Sequence, residues 1–244
     1  MSIVTSVLLL ILVIILMDLA FMMYRLKIKG VWDIYQNVQK EHLPYCNHIK
    51  SKTNILILGD STATANGAKP EDSIAGRLSK KYKACVVNLG KSGAVTKEVL
   101  EQLERSGKKK FNLILLQTGN NDIVRFTNLN LLEKQIKDLF DKAKKKCKNV
   151  AILRGGNVGN FPFFPYILSW IYTRRARKFR EMVSKIAKEK GVVYVELWME
   201  RENDIFLKNP DKYYTPDLIH MTGEGHKVWF DLLFREMKKH RIQI

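Results

Sequence analysis

Ser61, Asn121, Asp217 and His220 are residue types that together could run nucleophilic chemistry. Ser61 ends the run Asn54-Ile-Leu-Ile-Leu-Gly-Asp-Ser61, in which apolar residues stop abruptly at Gly59-Asp60. A serine hydroxyl is a weak nucleophile until a base takes its proton. Of the five histidines, only His220 has an acidic residue three positions away just before a predicted helix, namely Asp217. Residues three apart in a turn project to one side, so the carboxylate can reach the imidazole Nδ1–H. Taken alone, the pair reads more simply as an exposed salt bridge or a helix cap, and Gly-Asp-Ser as an ordinary turn. His226 reads as a packing or surface residue, His42 and His48 lie in a connector, and His240 lies in the tail.

Those residues need a scaffold that brings distant positions to one edge. Apolar runs at Ile55–Gly59, Cys85–Leu89, Leu113–Gln117, Val150–Leu153 and Val192–Leu197 read as five buried strands. Helical periodicity fills the gaps at Ser73–Tyr82, Thr96–Arg105, Leu131–Lys146, Tyr172–Glu189 and Gly223–Lys239. Strands alternating with helices imply crossover connections and a parallel sheet covered on both faces. In such sheets ligands bind outside the carboxyl ends of the strands. The first strand delivers Ser61 there, and the third ends in Thr118-Gly119-Asn120-Asn121-Asp122, which adds an amide side chain. The second delivers Gly90-Lys91-Ser92-Gly93, which invites a phosphate-loop reading. That loop needs another glycine five residues before Gly90, and Cys85 stands there, so the reading fails.

Together, Gly59-Asp60-Ser61, Gly93 in Asn88-Leu-Gly-Lys-Ser-Gly93, Gly119-Asn-Asn121-Asp122 and Asp217-Leu-Ile-His220 resemble the four sequence blocks of the SGNH (GDSL) hydrolases, in the right order. The resemblance covers roughly Asn54 to the C-terminus. It implies a flavodoxin-like three-layer α/β/α sandwich around a five-stranded parallel sheet. It also implies ester hydrolysis through an acyl-enzyme, with Ser61 as nucleophile, His220 as base and Asp217 holding the imidazole tautomer. The implied oxyanion donors are the Ser61 and Gly93 backbone N–H groups and the Asn121 side-chain amide. Asp60 and Asp122 are expected to order loops, and no cofactor or metal is required. Two departures stand out. Thr62 replaces the usual aliphatic residue after the serine, and the region after the fourth strand is longer and more apolar than in minimal members, which leaves the substrate open.

Ile3 to Met23 is apolar almost throughout, interrupted by Thr5, Ser6 and Asp18. At about 1.5 Å per residue it spans roughly 30 Å, the thickness of a hydrocarbon core. It lacks the basic leader and small-residue cleavage site of a signal peptide, so an uncleaved anchor is expected. Asp18 is read as tolerated near one end. The organisation expected is an anchor over 1–24, a connector over 25–53 broken by Pro44, and a catalytic domain over 54–244. Arg25, Lys27 and Lys29 follow the segment and nothing basic precedes it, which places the body in the cytoplasm. Tyr24, Trp32 and Tyr35 would sit near the headgroups. Cys46, Cys85 and Cys147 form neither a zinc pattern nor a disulfide framework and suit a reducing compartment.

The chain carries 42 Lys+Arg against 24 Asp+Glu, a net charge of +18, which predicts attraction to polyanions. With the anchor present, an anionic membrane surface is favoured over nucleic acid. After the fourth strand, an aromatic, proline-broken stretch from Gly155 to Tyr172 precedes Arg174, Arg175, Arg177, Lys178 and Arg180. It suits contact with the headgroup–acyl boundary, an acyl-chain pocket, or simple packing over the sheet. The favoured reading is a membrane-associated esterase or lipase acting on acyl esters, with lysophospholipids as candidates. The alternatives are a carbohydrate O-acetyl esterase and, in a different class, a non-catalytic basic tether binding anionic partners.

Overall fold

The computed structural model describes residues 2–27, 51–107, 110–242 and 244. The apolar runs become β1 (Asn54–Gly59), β2 (Cys85–Asn88), β3 (Leu113–Gln117), β4 (Val150–Arg154) and β5 (Val193–Glu196). They form one parallel sheet in the order β2-β1-β3-β4-β5. Side chains alternate between faces along a strand. Ile55, Ile57, Leu113 and Leu115 therefore enter one core, while Leu56, Leu58, Ile114 and Leu116 enter the other. All eight are fully buried, which explains why these strands read as unbroken apolar runs.

The helices are α1 (Ile3–Lys27), α2 (Ser61–Thr64), α3 (Ile74–Tyr82), α4 (Thr96–Arg105) and α5 (Asn120–Val124). They continue with α6 (Leu129–Lys146), α7 (Tyr166–Lys190), α8 (Ile205–Lys208), α9 (Pro210–Tyr213) and α10 (Gly223–Lys239). α4, α6 and α7 cover one face through Val99, Ile136, Phe140, Phe179 and Val183. α3 and α10 cover the other through Leu78, Trp229 and Leu233. The result is the three-layer sandwich expected from the sequence. Its strand order reverses between β1 and β3, so a crevice opens at their carboxyl ends.

Three features differ from expectation. α7 starts at Tyr166 instead of Tyr172: Pro165 occupies the N-cap, a position compatible with proline, and no breaker follows it. The short helices α2 and α5 escape the sequence because four or five residues cannot show a periodicity. Cys85 is disulfide-bonded, against the expectation of a reduced set, while Cys147 is a free buried thiol. The connector with Trp32, Tyr35, His42, Pro44, Cys46 and His48, and the flanking Lys29, lie outside the described residues, as do the side chains of Arg25 and Lys27. Over Ile3–Tyr24, α1 is long and apolar enough to cross a membrane, and none of that stretch is buried.

Candidate active site

The chain must turn sharply after β1 to present Ser61. A Cβ at Gly59 would lie 2.1 Å from the Gln117 carbonyl oxygen of β3, so only glycine allows this approach. Asp60 then caps α2, its Oδ1 accepting from Thr62 N at 2.9 Å. Ser61 becomes the first residue of that helix, at the switch point of the sheet. Asp60 is 2% exposed, and burial pushes its carboxyl up to about 6, against the lowering effect of the hydrogen bonds from Thr62.

Asn121 arrives from the neighbouring strand on α5. Its Nδ2 donates to the Ala94 carbonyl at 3.1 Å and reaches Asp60 Oδ2 at 3.4 Å. The adjacent Asp122 is fully buried and accepts from Thr96 N at 2.9 Å and Thr96 Oγ1 at 2.8 Å, tying α5 to α4. Asp60 and Asp122 thus hold loops, as the sequence suggested. Gly93 sits in the β2–α4 turn with φ +75, a left-handed conformation that favours glycine.

Asp217 and His220 lie in a tight loop closed by the bridge between Tyr214 and Met221 and by Thr215 N donating to His220 O at 2.8 Å. His220 Nδ1 is 2.6 Å from Asp217 Oδ2. Asp217 Oδ1 accepts from Thr215 Oγ1 at 2.7 Å and from the Ile219 and His220 N–H groups, both at 2.9 Å. Burial opposes ionisation of Asp217. The hydrogen bond and charge of His220, with Thr215, overcome it and hold the carboxyl down to about 2. Neither residue is on the surface, so an exposed salt bridge is ruled out.

These parts meet at one cavity of about 290 Å³. Ser61, Gly93, Asn121 and His220 are among its polar lining. Val124, Phe161, Phe163, Phe164, Ile219 and Trp229 form its apolar walls. Among the described residues no group of three or more His, Cys, Asp or Glu is placed to hold a metal.

The GDSL-like lipase/acylhydrolase family matches residues 57–228, a span that contains Ser61, Gly93, Asn121, Asp217 and His220. The chain belongs to that family. A search of curated protein sequences finds no match. Among solved structures, the hydrolase is similar to a protein of the G-D-S-L family described as lipolytic, from Desulfitobacterium hafniense DCB-2. The TM-score is 0.62 at 19% identity, covering 76% of this chain and 99% of the other. It is similar to an extracellular lipase from Streptomyces rimosus, with TM-score 0.61, 16% identity, and coverage of 75% and 99%. It is also similar to an acetylxylan esterase from Geobacillus stearothermophilus, with TM-score 0.53, 19% identity, and coverage of 77% and 94%. At these identities the likeness carries the fold, and the family match makes the chain an acyl ester hydrolase.

The hydrolase also uses a residue that sequence reasoning passed over. Gln102 of α4 is fully buried and clamps the backbone next to the serine. Its Oε1 accepts from Gly59 N at 2.8 Å and its Nε2 donates to Gly59 O at 3.0 Å. A polar residue on the apolar face of an amphipathic helix was the available signal. His226 is buried beside the cavity, its ring edge-on to Trp229 at 5.7 Å, and burial lowers its pKa to about 3. The cationic cluster on α7 is less uniform than expected. Arg175 turns inward to the Thr127 carbonyl, Arg177 pairs with Glu200 at 3.1 Å, and Arg180 pairs with Glu196. Arg174 and Lys178 are exposed.

Proposed function

We propose that this hydrolase is a membrane-anchored serine esterase cleaving the acyl ester of a lipid through Ser61, His220 and Asp217. The observation that carries the reading is the 2.6 Å Asp217–His220 contact opening onto the same apolar-walled cavity as Ser61. His220 takes the Ser61 proton as the hydroxyl oxygen attacks the acyl carbonyl. The buried Asp217 stays ionised and stabilises the imidazolium. Charge developing on the carbonyl oxygen is met by the Ser61 and Gly93 N–H groups and the Asn121 amide. His220 then protonates the departing alkoxide, and water, activated by the same base, releases the acid. The phenylalanine walls suit an alkyl chain, and a lysophospholipid is the lipid candidate. α1 anchors the enzyme over residues 1–24, the connector runs over 25–53, and the catalytic domain over 54–244.

The cavity volume favours a second substrate reading. At about 290 Å³ it falls near the low end of ligand pockets, roughly 300–1,000 Å³, which suits a short acyl group such as the acetyl of a glycan. Hydrolysis of p-nitrophenyl acetate, butyrate, octanoate and palmitate, with Ser61→Ala as control, separates the two. The expected result is a Ser61-dependent rate that rises with chain length. Activity confined to acetate transfers the proposal to the deacetylase. No turnover of any ester, with no labelling of Ser61 by a phosphonate, defeats the serine-esterase mechanism. As to membrane side, the flanking charges favour the cytoplasm, and the disulfide at Cys85 favours the opposite, oxidising side.

A further inference from the structure

α7 begins without a cap of its own. The N–H groups of a helix's first turn have no partner within the helix, and an N-cap side chain usually satisfies one of them. Here the N-cap is Pro165, which has no acceptor atom in its side chain. The missing acceptor comes from 149 positions away. Asp18, in the apolar helix α1, accepts from Ile167 N at 2.9 Å. A carboxylate at the N-terminus of a helix also interacts favourably with its dipole. Along the exposed body of α1, Asp18 and Met22 are half-buried, so the helix leans on the enzyme along one i,i+4 face. An acidic residue inside a membrane span is costly and calls for a partner, and α7 supplies one.

This contact fixes a depth. Tyr24 lies six residues beyond Asp18, about 9 Å along a helix. With Tyr24 at the headgroups, the first turn of α7 sits at the boundary between headgroups and acyl chains. The residues displayed there fit that position. Tyr166 and Trp170 share one face of α7 and are 75% and 60% exposed. Arg174, one turn further on, lies over the Trp170 ring at 5.8 Å. Two aromatic rings followed by a cation are the side chains that favour a membrane interface. Phe163 and Phe164, immediately before α7, line the cavity that holds Ser61 and His220.

We propose that Asp18 is a positioning residue that docks the N-terminal shoulder of α7 into the bilayer interface, so that an acyl ester dissolved in the membrane enters the catalytic cavity past Phe163 and Phe164. The inference rests on the anchored-esterase reading and adds the route by which substrate arrives. It gives Asp18 a purpose that mere tolerance near a helix end does not.

The test uses the full chain in vesicles of phosphatidylcholine and phosphatidylglycerol. It compares bilayer-dissolved 4-methylumbelliferyl palmitate with water-soluble 4-methylumbelliferyl butyrate. Asp18→Leu keeps α1 apolar but removes the acceptor. It should slow palmitate hydrolysis by roughly five- to tenfold, the factor one charged cap is worth, and leave butyrate within about twofold. Asp18→Asn retains an acceptor oxygen and should restore most of the palmitate rate. Independently of activity, quenching of Trp170 by lipids brominated in the acyl chain, taken as the difference from Trp170→Phe, should be present in the native chain and lost in Asp18→Leu. Unchanged palmitate hydrolysis and quenching in Asp18→Leu overturn the proposal, as does an equal loss on both esters. Absent Trp170 quenching in an enzyme that hydrolyses butyrate and takes up phosphonate at Ser61 overturns the docking alone. Quenching without turnover or labelling overturns the serine-esterase reading instead.

Discussion

Asp60 and Asp217 are two buried carboxylates whose surroundings drive them in opposite directions. Asp217 accepts four hydrogen bonds and is held at about 2, below its ordinary 3.8. Its contribution to stability is complete above the unfolded value and is lost as pH falls through about 2. Asp60 is dominated by burial and raised to about 6. Its contribution is complete below the unfolded value and is lost as pH rises through about 6. Denaturant melts of the native chain, Asp60→Asn and Asp217→Asn from pH 3 to pH 8 should therefore diverge in opposite senses. Asp60→Asn should gain on the native chain between pH 4 and pH 7, by up to about 3 kcal/mol at 1.36 kcal/mol per pH unit. Asp217→Asn should lose up to about 2 kcal/mol at pH 7, a deficit that shrinks toward acid. Parallel curves would refute this assignment of burial against hydrogen bonding. Ser61, His220 and Asp217, proposed as nucleophile, base and orienting carboxylate, were readable in the sequence only as members of four blocks in family order, since each alone reads as a turn, a cap or a salt bridge. The opposite behaviour of two aspartates was not, since it depends on neighbours remote in the chain.

Secondary-structure elements carry Ser61 to its place, and most of them were legible. A fully buried strand can only be an apolar run, and α4, α6 and α10 have faces that repeat with the helical period. What stayed hidden lay in junctions: the early start of α7 depends on a proline at the N-cap, and α2 and α5 depend on strand ends meeting at the switch point. Gln102 is the clearest case, because its role comes from α4 packing on β1. The clamp satisfies the Gly59 N–H and steadies the residue two before Ser61. Gln102→Leu leaves that buried N–H without its acceptor and should cost roughly 1–3 kcal/mol of stability. It should also lower kcat about tenfold on a short ester while KM stays within about twofold, since misplacing a nucleophile costs rate more than binding. Stopped assays on butyrate, paired with melts, would read both effects. A kcat equal to that of the native enzyme in a destabilised variant would show that Gln102 serves the fold and not Ser61.

At the scale of the whole molecule, with α1 taken as the proposed membrane anchor, two signals about membrane side oppose each other, and they differ in kind. The flanking residues Arg25, Lys27 and Lys29 express a statistical bias in insertion that few charges can set and that tolerates exceptions. The disulfide at Cys85 expresses a chemical requirement, because such bonds persist in oxidising compartments and are rare where thiols are kept reduced. A chain of net charge +18 would meet anionic headgroups on either face, so charge does not break the tie. The chemical requirement is the stronger constraint, and it makes outward exposure of the domain the expected outcome. Differential alkylation of thiols in intact cells, with peptides separated by mass, checks it at one residue. Cys85 should take the second label, accessible only after reduction, while the free buried Cys147 takes the first label on denaturation. Protease added outside the cells should then also cut the domain. First-label modification of Cys85, with the domain protected from protease, would return it to the cytoplasmic side, and the basic residues after α1 would then have governed insertion.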